Sequence, residues 1–93
     1  MGNLGSADST LSEPHRAIDC YEQELVIARE IGDRQGESIT SWNLGDEYVK
    51  QGELEKAITL MQFCVDYERE LGHTDAEKDA ARVEEIRKRL AGG

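Results

Sequence analysis

Residues 3–37 align with residues 43–77 at a shift of 40 without a gap, and 10 of the 35 pairs are identical. Asn3, Leu4 and Gly5 pair with Asn43, Leu44 and Gly45. Further along, Glu13 meets Glu53, Ala17 meets Ala57, Ile18 meets Ile58, Arg29 meets Arg69, Glu30 meets Glu70, Gly32 meets Gly72 and Glu37 meets Glu77. A period of this length means that one supersecondary unit recurs, each copy burying its apolar face against its neighbour instead of around a single centre.

Within each unit the apolar residues return at three- and four-residue steps: Ala17, Cys20, Tyr21, Leu25, Ala28 and Ile31, then Ala57, Leu60, Met61, Cys64, Val65 and Leu71. Each series is one face of a helix about 18 residues long. Gly32 and Gly72 follow the last apolar residue of each, where a left-handed residue closes a helix. Between them, residues from about Arg34 to Gln51 carry Ile39, Leu44, Gly45, Tyr48 and Val49 and stop at Gly52, which makes a second type of helix. The unit is a helix pair. A last helix is expected from Thr74, since Thr74 to Glu77 has the spacing of a capping box, and its stripe is Ala76, Ala80, Val83, Ile86 and Leu90. Glu84, Glu85, Arg87, Lys88 and Arg89 on its other faces suit a solvent-facing end helix.

The expected chain is therefore all-α and one domain: a first unit over 1–32 with a truncated first helix, a second over 33–72, and a capping helix over 73–91. Residues 1–11 hold Gly2, Gly5, Asp8, Ser9 and Thr10, and Asp8 stands where the second unit has Tyr48. That segment has low helix propensity and is expected to fray or be displaced.

Asn43-Leu44-Gly45, Tyr48, Gly52 and Ala57, at these offsets, resemble the signature of the tetratricopeptide repeat, and the 40-residue spacing resembles its long-unit variety. The run from Ala28 to Glu37 leading into Trp42-Asn43-Leu44-Gly45 is similar to two groups of that family, the G-protein-signalling-modulator adaptors and the arrays of bacterial NB-ARC-type signalling ATPases. The resemblance implies antiparallel helix pairs stacked as a short right-handed solenoid, and a protein-binding scaffold without a catalytic site. It gives structural roles to Leu4, Gly5, Ala17, Leu44, Gly45, Tyr48, Gly52 and Ala57. Gly45 and Ala57 are small where the helices of a unit cross closely, while Leu44 and Tyr48 fill the space around them. Ser12 departs from the turn glycine seen at Gly52.

In this family the first helix of each unit lines the inner surface. That implies Ile39, Trp42, Asn43, Asp46, Val49 and Lys50 as a groove for a partner's peptide or helix. Trp42 has two readings, a binding anchor of the kind enriched among interface hot spots, or a side chain packed against the end helix. Some relatives hold a partner's C-terminal carboxylate with the asparagine at the Asn43 position and nearby basic residues; the companion positions here are Gly2 and Trp42, which lack the charge for it.

Charge narrows the partners. The 20 acidic and 11 basic residues give a formal −9, which repels nucleic acid and anionic membrane surfaces. No apolar run approaches the roughly 18 residues needed to span a bilayer, and a cytoplasmic location is expected. Cys20 and Cys64 read as reduced, buried packing residues. His15 and His73 have no second ligand at metal-binding spacing, and nothing pairs a nucleophile with a base, so neither metal, cofactor nor enzyme activity is expected. A protein or peptide partner is the leading expectation. The alternative is a homodimer, in which a second copy covers the apolar face of residues 17–31 that the weak first helix leaves open.

Overall fold

The computed structural model describes residues 14–92, which form four α-helices: α1 Pro14–Ile31, α2 Arg34–Lys50, α3 Leu54–Leu71 and α4 Ala76–Gly92. Among the described residues there is no strand, so the chain is all-α as its periodicity requires. Each helix packs on the next, α1 on α2, α2 on α3 and α3 on α4, as a stack of helical hairpins. The molecule measures 35 × 34 × 19 Å. With a helix about 10–12 Å across including side chains, the shortest dimension holds two layers. Leu4, Gly5 and the expectation for residues 1–11 lie outside the described residues.

The first three helices end alike. At Gly72, φ is 69°; its amide donates to the Arg69 carbonyl at 3.2 Å and the His73 amide donates to the Glu68 carbonyl at 2.9 Å. This pair of bonds is a Schellman motif, which satisfies carbonyls that the helix end would leave bare. The same pair recurs at Gly32 and at Gly52, so the stops stand 20 residues apart. Glycine suits them because a side chain in this left-handed conformation costs about 1–2 kcal/mol. Asp33 then starts α2, its side chain accepting from the Gly36 amide at 2.9 Å.

The last helix begins at Ala76, two residues later than the Thr74 reading. The reason is local: His73 Nδ1 accepts from the Asp75 amide at 3.0 Å, and the Asp75 carbonyl accepts from the Asp79 amide at 2.9 Å. The histidine ring serves the turn, and the helical bonds start beyond it.

The core lies between α2, α3 and α4. Ala57, Met61 and Val65 of α3 meet Val83 and Ile86 of α4, with Trp42, Tyr48 and Val49 of α2 leaning on the cluster. Gly45 is buried at the crossing of α2 and α3, where a Cβ would stand 2.5 Å from Met61 Cγ and 3.1 Å from the Ala57 carbonyl oxygen. One turn or two away, Ser38 and Ser41 are also buried, and Ser38 Oγ donates to Cys64 Sγ at 3.0 Å. Small residues along α2 thus let two helices approach closely.

Of the two cysteines, Cys64 is buried but Cys20 is exposed, which corrects the reading of both as packing residues. The face of α1 that meets α2 carries Ala17, Leu25 and Ala28, all buried. Cys20 sits on the flank beside it, along with Ile27 and Ile31, which are 55% and 72% exposed. No helix of the described residues is long and apolar enough to cross a membrane.

Candidate functional site

Ile39, Trp42, Asn43, Asp46, Val49 and Lys50 follow one another at steps of three, one, three, three and one, which puts them on a single sector of α2. The structure divides that sector. Trp42 and Val49 are half-buried against the core cluster formed by α3 and α4. Ile39 is 53% exposed, and Asn43 and Lys50 also face solvent. Asp46 joins the two helices: its Oδ1 accepts from Arg82 Nη2 of α4 at 3.0 Å. The pair is 42% and 40% exposed, which leaves it solvated and worth little in stability; Asp46 stands one turn from Trp42 on the same face of α2.

The polar end of the sector is crowded. Lys50 Nζ stands 3.3 Å from Glu47 Oε2. Tyr21 of α1 feels the same charges: its hydroxyl pKa is raised, by burial first, then by Glu47 and Glu24, with Lys50 opposing and Asp46 adding to the rise. On another side of α2, the Tyr48 hydroxyl donates to Glu22 Oε2 at 2.8 Å, and Lys56 Nζ lies 5.4 Å from its ring centroid. That hydrogen bond to Glu22, followed by burial, pushes the phenol up to about 12. Tyr48 therefore remains a donor that ties α1 to α2 throughout the neutral range.

Sequence reasoning missed Arg82. It stands 40 residues after Trp42 and so occupies the corresponding place in α4, but the run of identities ends at residue 77 and the charged faces of the end helix read as turned to solvent. The repeat period alone could have found it. An open trough, also not expected, lies between α1 and α3 above α2. It holds about 500 Å3 and is lined chiefly by Leu25, Val26, Leu44 and Leu60, with Arg29 and Lys56 among its charged members.

No protein-family model matches the chain. It is similar to the human protein G-protein-signaling modulator 1, at 39% identity over 59 residues, which is 63% of this chain. The chain spans 9% of the length of that relative.

Proposed function

We propose that this chain is part of a tetratricopeptide-type helical array that binds protein partners, with a peptide or helix lying along the surface shared by α2 and α4. The observation that carries this reading is the half-buried Trp42 one turn from the Asp46–Arg82 bridge, an aromatic group and two paired charges on one face. Ile39 extends that face with apolar surface and Lys50 adds a cation at its far end. Interfaces draw most of their energy from such aromatic centres, with charged groups setting orientation and specificity. The likeness to a signalling modulator supports a role in protein interaction rather than in catalysis.

Peptides selected from a random library displayed on phage provide the test. A Trp42→Ala protein with an unchanged circular dichroism spectrum should bind such a peptide about 30-fold or more weakly, the loss expected of a hot spot worth about 2 kcal/mol. Unchanged affinity would sink the assignment. Loss of binding in Val26→Asp instead would move the partner to the trough between α1 and α3.

A second reading is favoured by one observation, the exposure of Ile27 and Ile31 along a flank of α1. In it, a second copy packs on that flank and the chain self-associates. Sedimentation over a dilution series should then show a mass above the monomer that Ile27→Glu returns to the monomer value. A monomeric wild-type chain at every concentration removes this reading and leaves the first intact.

A further inference from the structure

Three acid groups meet where the last two turns of α3 face the first turn of α4. Cys64 Sγ and carboxylate oxygens of Glu68 and Asp79 all lie within 4.8 Å of one another, and Cys64 is 5% exposed. Glu68 Oε1 is shut off from solvent and has no hydrogen-bond donor in reach. With both carboxyls ionised, two acceptors face each other in a confined space and repel. With one proton between them, Glu68 donates to Asp79 and the two carboxyls become a hydrogen-bonded pair.

We propose that the Glu68–Asp79 pair is a proton-operated clasp between α3 and α4, closed when one proton is shared and loosened when it is lost. The helix termini say where that proton rests. Glu68 lies in the last turn of α3, at the negative end of that helix's dipole, where a charged carboxylate is disfavoured, and Asp79 faces it from the first turn of α4. The neighbouring groups agree. Within α3, the Cys64 thiol is raised by burial, with the Ser38 hydroxyl of α2 opposing the rise, and so stands beside Glu68 as a neutral group. In the turn, Asp75 adds a negative charge and His73 alone among these neighbours opposes the rise. Burial first, then the bond to Asp79 and its charge, push the Glu68 carboxyl up to about 7. The Arg69–Glu77 contact at 3.7 Å spans the same junction, but both groups are at least half exposed and hold it weakly.

The sign follows from linkage. Glu68 is raised in the folded protein above its ordinary value near 4.5, so the clasp contributes fully below that pH. Between there and about 7 only the folded state keeps the proton, so stability falls as pH rises and the contribution is gone above that range. This holds whatever binds the α2–α4 surface.

The experiment uses the full chain. A carbon-13 NMR titration should place the Glu68 carboxyl near 7, and the melting temperature should fall by roughly 5–10 °C between pH 5.5 and pH 8. Glu68→Gln, which donates at every pH, should flatten that fall. Glu85→Gln, which removes the same charge from an exposed position on α4, should keep it. A Glu68 carboxyl titrating near 4.5 would overturn the proposal even if the glutamine protein failed to fold. An equal fall in Glu68→Gln would overturn it too, as would a melting temperature at pH 8 that drops on addition of EDTA, which would assign the cluster to a bound cation.

Discussion

Gly45→Leu should cost the chain at least about 3 kcal/mol of stability, more than half of what a small domain near the low end of the usual 5–15 kcal/mol has. The Cβ alone would stand 2.5 Å from Met61 Cγ and 3.1 Å from the Ala57 carbonyl oxygen. Met61 is fully buried and the carbonyl is backbone, so neither can swing aside cheaply. Alanine is the informative intermediate. Its helix propensity returns about 1 kcal/mol over glycine, against an overpacking cost of about 1–3 kcal/mol, so Gly45→Ala should fall between neutral and roughly 2 kcal/mol less stable. Urea denaturation monitored by circular dichroism measures both. A Gly45→Leu protein with the wild-type midpoint would mean that α2 and α3 cross less tightly than the distances imply.

Ile86→Ala should be the next most damaging change, at about 2–5 kcal/mol. Ile86 has no exposed surface and belongs, together with Val83, to the apolar cluster that packs α4 on α3. Leu90, one turn on, is 42% exposed, and Leu90→Ala should cost under about 1 kcal/mol. The pattern of loss matters as much as its size. Among the described helices α4 packs mainly on α3, so a weakened cluster should release it before the rest unfolds. Hydrogen exchange should show amides of residues 80–90 losing protection first in Ile86→Ala, while those of α2 keep theirs.

The helices were legible because a repeat states its boundaries twice. Gly32, Gly52 and Gly72 close helices by the same two backbone bonds, and the stripes that precede Gly32 and Gly72 match α1 and α3 in length. What the pattern could not carry was which flank of α1 is covered. Periodicity puts Cys20 in the apolar series, yet α2 takes the neighbouring face, and a thiol at the edge of a stripe is decided by a degree of rotation that composition does not encode. The start of α4 was displaced for a related reason, since a histidine ring took the role that the Thr74 spacing offered to a threonine.

At the candidate surface, the positions along α2 followed from helical spacing, but the partner across the gap did not. Asp46 and Arg82 are 36 residues apart, and an arginine in an end helix reads as solvated until the helix is placed beside α2. Glu68 and Asp79 were hidden in the same way, each an ordinary acidic residue until the Gly72 turn folds α4 back on α3. Pairing across a turn is a tertiary fact; spacing within a helix is not.

The order of packing, each helix on its chain neighbour, also bears on how quickly the fold is reached. Contacts between neighbours in sequence need only short loops to close, and proteins built from such local contacts fold in microseconds to milliseconds. A hairpin such as α2–α3 is complete once Leu71 has been made, before α4 exists. On a ribosome adding about 5–20 residues per second, each helix pair would finish its search long before the next emerged, so the nascent chain would leave little apolar surface waiting for a distant partner.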